Sequence, residues 1–229
     1  MKKTVTLIVS VFSIAIVILW QLLFSDTNYY IIAAAILILS MIPFLFSFEK
    51  SKPSSRELTL IAGLIAIAVV SRAVFYLVPQ VKPIGAVVIV SGACLGAKRG
   101  YLIGAFSAFI SNFIFGQGIW TPFQMAALGL VGLIAGLMFN GNAKRLPLSI
   151  TGFILCSLVY GIIVDLSSVL MITNDYSISS VLSVYAAGVP FNLIFGAATA
   201  VFLFVFGEAF AKKINRIVKK YGIIEVKYE

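Results

Sequence analysis

Two ionisable side chains of opposite sign lie well inside apolar stretches of this 229-residue chain. Arg72 stands seven residues before Pro79, and Asp165 stands seven residues before Ile172. At about 1.5 Å of rise per residue, each sits about 10 Å below one end of its segment. An unpaired charge near the middle of a bilayer costs about 2.5–3.5 kcal/mol. Equal depth and opposite sign therefore imply a mutual ion pair, two poles of a ligand site, or both. Amides and aromatic rings gather at the same level: Tyr76, Gln80, Asn112, Gln117, Trp120, Phe123, Gln124 and Tyr185, with Tyr160 and Asn192 deeper. Their chemistry is recognition by hydrogen bonding and stacking.

Bond-breaking chemistry has no support. The chain contains no His, no paired carboxylates, no Cys/His arrangement and no metal-ligand cluster. Walker and Gly-x-Gly-x-x-Gly loops are absent, so any ATP-driven step belongs to another protein. Cys94 and Cys156 lie in apolar runs and read as packing residues. The expectation is a non-catalytic protein with no intrinsic cofactor.

Hydrophobic residues make up 61% of the chain and charged residues 11%, with a mean hydropathy of +1.10. A soluble domain carries roughly 25% charged residues, so the class is an all-α polytopic membrane protein. Apolar segments fall at about 4–24, 29–48, 58–78, 83–97, 101–115, 120–140, 148–172 and 181–207, about eight hydrophobic helices in total. Most reach the ~20 residues that a spanning helix requires; 83–97 and 101–115 are short. Met1-Lys2-Lys3 and the apolar run after them resemble a signal peptide, but the run is too long and no small-x-small site follows closely. It is read as a retained membrane helix.

Eight segments put both termini on one side. That side then carries fifteen of the 17 Lys and Arg residues, the exceptions being Lys82 in an opposite loop and Arg72 inside a segment. Positive residues collect on the cytoplasmic face, so both termini are expected there. The net charge of +9 is thus a matter of topology, and nucleic acid is not an expected partner. The polar cluster then lies in the outer half of the bundle. A channel would need polar lining through its full depth, so a pocket open to the outside is expected. Loops at 79–83, 116–119 and 173–180 would cap it.

Between the segments ending at Phe115 and starting at Trp120 lies a hinge of two glycines and Gln117, with Pro122 in the first turn of the next helix. Gly92 and Gly96, Gly132 and Gly136, and Ser107 and Ser111 have the small-xxx-small spacing that lets helices approach closely. The Ser, Lys and Pro-rich stretch 49–57 marks the one boundary between modules. Residues 1–57 form two helices and a linker, 58–210 a six-helix core, and 211–229 a basic tail. From Glu208 to Lys220, Phe210, Ile214, Ile217 and Val218 form an apolar face opposite a basic one.

From Leu58 to about Phe210 the chain resembles the substrate-binding S component of energy-coupling factor (ECF) vitamin importers. Six core helices with short external loops, the motif Ala62-x-x-x-Ala66, and the run from Ser111 to Met125 (SNFIFGQGIWTPFQM) carry the resemblance. Arg72 followed by Pro79 adds to it. Helices 4–48 depart from the six-helix pattern. The resemblance implies a bacterial plasma-membrane subunit that captures a vitamin outside. It then docks through Ala62 and Ala66 on a transmembrane coupling subunit with two ATPases, and topples to release its ligand. The hinge looks most similar to cobalamin-specific members, so bound cobalamin is the first expectation. Riboflavin and queuosine are alternatives, and a stand-alone secondary carrier is a rival class. The expected ligand contacts are Arg72, Tyr76, Asn112, Gln117, Trp120, Phe123, Gln124, Asp165, Tyr185 and Asn192.

Overall fold

A computed structural model describes residues 53–139, 141, 144–172 and 177–223. The apolar segments at 4–24 and 29–48 lie outside the described residues. Every regular element described is helical: α1 (Ser55–Val74), α2 (Ile84–Leu95), α3 (Ala97–Phe115), α4 (Trp120–Phe139), α5 (Arg145–Ile154), α6 (Gly161–Ile172), α7 (Ile178–Phe202) and α8 (Glu208–Tyr221). A π-helical stretch, Leu155–Tyr160, joins α5 to α6, and a second, Leu203–Gly207, joins α7 to α8. Among the described residues four helices are long and apolar enough to cross a membrane: Ser55–Val74, Trp120–Phe139, Arg145–Ile172 and Ile178–Tyr221.

α2 is the axis of the bundle. Its sequence, IGAVVIVSGACL, has no charged residue, and all twelve side chains are buried. At 12 residues it is about 18 Å long, short of a ~30 Å hydrocarbon core. A helix enclosed on every side by other helices need not match the lipid.

α2, α3 and α4 meet backbone to backbone. A β-carbon on Gly92 or on Gly100 would strike the carbonyl oxygen of Gly132, and one on Gly132 would strike that of Gly100. Gly136 abuts the chain at Gly96–Ala97, and Gly104 abuts the Leu128 carbonyl. The glycine spacing read from the sequence therefore reports close packing, where dispersion and interhelical contact replace the hydrophobic effect.

α1 is one-sided. Ile61, Leu64, Ile65, Ala68, Val69 and Arg72 are buried, whereas Ala62, Gly63, Ala66 and Ile67 are exposed. Ser54 caps its N-terminus by accepting from the Glu57 amide at 3.2 Å. The Glu57 carboxylate turns the other way and pairs with Arg99 of α3 at 2.5 Å.

The stretch 211–229, read as a separate tail, departs from that reading as far as Tyr221. α7, its π-helical stretch and α8 run on as one 44-residue helix, so the boundary at 210/211 falls within it. Ala211, Ile214 and Val218 recur at helical spacing and join the main core with Ile61, Leu64 and Val90.

Replacing Gly132 by Val should cost about 1–3 kcal/mol or more, because neither backbone it meets can retreat. Gly63→Ala, facing open space, should change stability by no more than about 1 kcal/mol. Thermal melting of both variants in detergent distinguishes these outcomes.

Candidate functional site

Arg72 lies in the last turn of α1, and burial obliges it to find acceptors. It finds them on α3. Nη1 donates to Ser111 Oγ and, at 2.9 Å, to Asn112 Oδ1. The guanidinium carbon also stands 4.3 Å from the centroid of the Phe115 ring. Asn112 passes the linkage to α4: Nδ2 donates to Thr121 Oγ1 at 3.1 Å and to Gln124 Oε1 at 2.9 Å. Thr121 donates to Gln117 Oε1 at 2.9 Å, and Gln117 Nε2 donates to the Phe109 carbonyl at 3.1 Å. One network thus binds α1, α3, the hinge and α4. Its i,i+3 and i,i+4 spacings put the hinge groups in reach of one another.

Asp165 does not pair with Arg72. Its Oδ2 accepts from Asn192 Nδ2 at 2.6 Å. Two glycines on facing helices make the room. A β-carbon on Gly188 of α7 would lie 2.7 Å from the Asp165 carboxyl carbon, and one on Gly161 of α6 would lie 2.6 Å from the Asn192 amide. α7 also carries Pro190 in its interior, a substitution that membrane helices tolerate where neighbours satisfy the freed carbonyl.

Arg72 and Asp165 nevertheless line the same cavity, of about 550 Å³. Arg72, Gln80, Lys82 and Gln124 border it with donors, and Asp165, Asn192, Ser168 and Ser183 with acceptors and hydroxyls. Tyr160, Phe191 and Phe195 supply aromatic surface, the first and last with ring centroids 4.8 Å apart. Lys82 lies in the loop before α2, with its amine 5.7 Å from the Phe115 ring that also faces Arg72. Its pKa is held below the ordinary lysine value, first by burial and second by the Arg72 charge. Gln80, in the same loop, has φ 59°, a left-handed conformation that costs a non-glycine residue about 1 kcal/mol.

Of the ten contacts expected from sequence, Arg72, Gln124, Asp165 and Asn192 border the cavity. Asn112 is fully buried behind it and holds Arg72 and Gln124 in place. The other five stand apart. Tyr76 is exposed and packs on Phe115 at 5.4 Å. Gln117 is turned back onto α3, and the Trp120 ring lies over Gly118. Phe123 belongs to an apolar cluster with Ile163 and Leu170. Tyr185 donates to the Ile162 carbonyl at 3.1 Å. Gln117 and Asn112 spend their hydrogen bonds on Phe109, Thr121, Gln124 and Arg72, which is why these two amides do not face the cavity.

Lys82, Ser168, Ser183, Phe191 and Phe195 border the cavity without having been expected there. Ser168 follows Asp165 by three residues and Phe195 follows Asn192 by three, so helical spacing from the two polar anchors was the signal available for these two. Among the described residues no group of three or more His, Cys, Asp or Glu is placed to hold a metal ion.

An all-helical membrane bundle enclosing a cavity with cationic, acidic and aromatic walls defines a membrane-spanning binding protein. The chain belongs to the family of ECF-type riboflavin transporter S components, which matches residues 52–212, more than half of its length. It is therefore a substrate-binding transport subunit of the membrane, of a class that works with an ECF membrane and ATPase module. The match is to the riboflavin type, and the cobalamin-specific branch expected from the hinge finds no support in it. No curated protein and no solved structure matches the chain.

Asn112→Leu should leave the Arg72 guanidinium and the Gln124 amide short of a partner. A loss of about 1–3 kcal/mol in stability is expected, read by thermal melting in detergent. Gly188→Ala should drive the Asp165 carboxylate off its bond to Asn192 and weaken ligand binding about tenfold or more, at about 1.4 kcal/mol per tenfold. Titration calorimetry with the ligand proposed below measures it.

Proposed function

We propose that this chain captures a flavin-class vitamin, riboflavin first, from outside the cell and hands it inward through the coupling module. The observation that carries this reading is the cavity itself. Its volume of about 550 Å³ falls in the range of sites for drug-sized organic ligands. A tricyclic ring with a short polyol fits that range, whereas a corrinoid with its nucleotide tail is several times larger. Of the amides in the run from Ser111 to Met125 only Gln124 reaches the cavity, which leaves little of the reason for preferring cobalamin.

The chemistry of the walls matches a flavin part by part. The dione edge of the ring presents carbonyl acceptors and one N–H, complementary to Arg72, Lys82 and Gln124. The flat ring would stack against Tyr160, Phe191 or Phe195. The polyol hydroxyls suit Asp165, Asn192, Ser168 and Ser183. Arg72 and Asp165 then act as the two poles of a ligand, each kept in place by a neutral amide, Asn112 and Asn192.

The distribution of Lys and Arg supports placing both termini in the cytoplasm and the cavity toward the outside. Ala62 and Ala66 would be the docking surface for the coupling subunit, which in turn carries two ATPases; their exposure on α1 is consistent with that role.

Absorbance and mass spectrometry of protein purified from riboflavin-fed cells provide the test. A yellow protein carrying one flavin per chain is the expected result, and Asp165→Ala should weaken flavin binding about tenfold or more, the worth of a hydrogen bond to a charged group. A red protein carrying a corrinoid would overturn the substrate and keep the class. Large residues at both Ala62 and Ala66 should abolish uptake while leaving flavin binding intact. Uptake that persists without any ATPase partner would instead favour a stand-alone carrier.

A further inference from the structure

A second cavity, of about 570 Å³, lies between α1 and α8. Leu60, Leu64, Ile67, Phe210, Ile214 and Ile217 make its walls, and Gly63 leaves its middle open. Two exposed cations, Arg56 and Lys213, border it. Among the described residues no acid lines it. The nearest acid on α1, Glu57, is committed to Arg99, and the first acid of α8, Glu208, is paired with Lys212 at 2.8 Å. Arg56 already donates from Nη1 to the Tyr221 carbonyl at 3.3 Å, which steers its head toward the end of α8. A guanidinium has five N–H donors, so further donors remain for an anion.

Length is the second constraint. From Arg56 to Ile67 the α1 wall rises eleven residues, about 16 Å. One leaflet of a ~30 Å hydrocarbon core is about 15 Å deep. The groove is thus apolar over the depth of a single leaflet and has cations on its border, at the end of the bundle richest in Lys and Arg.

We propose that this groove binds an anionic phospholipid, its phosphate on Arg56 and Lys213 and an acyl chain between α1 and α8. Apolar surface holds the chain, and the two cations discriminate the headgroup. The occupied groove shares the exposed face of α1 with Ala62 and Ala66. A lipid there would border the surface proposed for docking, and would have to shift if a partner helix covered Gly63 and Ile67.

Native mass spectrometry of the full chain in detergent tests this, with dioleoyl phosphatidylglycerol and dioleoyl phosphatidylcholine offered in equal amounts. Retention of phosphatidylglycerol over phosphatidylcholine is expected. Arg56→Gln with Lys213→Gln should reduce that preference about thirtyfold, corresponding to ~2 kcal/mol from two basic residues. Gly63→Leu, which fills the groove, should reduce retention of both lipids. The melting temperature of each variant, unchanged within a few degrees, shows that the fold is kept. Equal retention of the two lipids by the wild type, or a headgroup preference that survives the double substitution in folded protein, would overturn the proposal. So would a photo-crosslinker at position 63 that captures the chain's own residues 4–48 in place of lipid.

Discussion

A guanidinium placed inside an apolar bundle must be surrounded by acceptors, and that requirement organises the half of this protein that holds the cavity. Arg72 uses Ser111 and Asn112, and Asn112 in turn engages Thr121 and Gln124. Each bond crosses from one helix to the next, so satisfying one charge fixes the relative rotation of α1, α3 and α4. Phe115 closes the remaining side as a ring facing both Arg72 and Lys82, where the electron-rich face offsets part of the lost hydration. The acidic pole is built differently. Among the described residues Asp165 has one neutral donor, Asn192, and the pair fits because Gly188 makes room for the carboxylate and Gly161 for the amide. A well-satisfied cation thus shares one cavity with a sparsely satisfied anion.

The opposite half obeys another rule. There the helices hold together because Gly92, Gly100 and Gly132 let three backbones touch. Where the three backbones touch there is no room for a side chain of any kind, and the buried Ser91 beside them turns its hydroxyl back onto the Val87 carbonyl of its own helix. The division of labour follows: a dense, apolar end that fixes the scaffold, and a looser, polar end that recognises.

Much of this was legible in the sequence. The all-helical, membrane-spanning character follows from hydropathy, and the close contacts of α2, α3 and α4 from glycine spacing. Arg72, Gln124, Asp165 and Asn192 stand out because polar side chains in apolar segments demand a reason. The aromatic wall was harder to read. Phe195 is marked only by its spacing of three from Asn192, and Phe191 is one of 19 phenylalanines with nothing in its local sequence to set it apart from those that face lipid. The facing of Tyr160 depends on the π-helical stretch Leu155–Tyr160, which shifts the register of α6 against α5 and leaves no periodic trace. The hinge misled for a reason of its own. Amides close together in sequence can satisfy one another, and a dense polar run is then a sign of local closure rather than of a surface awaiting a ligand.

The walls of the cavity are not equally anchored. α2 is buried along its whole length, and α4 and α6 are half-enclosed by their neighbours. α7 contributes Gly188, Phe191, Asn192 and Phe195, yet of its 25 residues only Phe195, Gly196 and Thr199 are buried. Three sides of the chamber are masonry and the fourth is a hinged panel. A ligand too large to slip between the loops has its easiest passage where the fewest contacts must part, so the energetic barrier to entry is set by how firmly that panel is latched. Its latches onto α6 are the bonds from Tyr185 to the Ile162 carbonyl and from Asn192 to Asp165, and the second is the pair that would greet the ligand once inside.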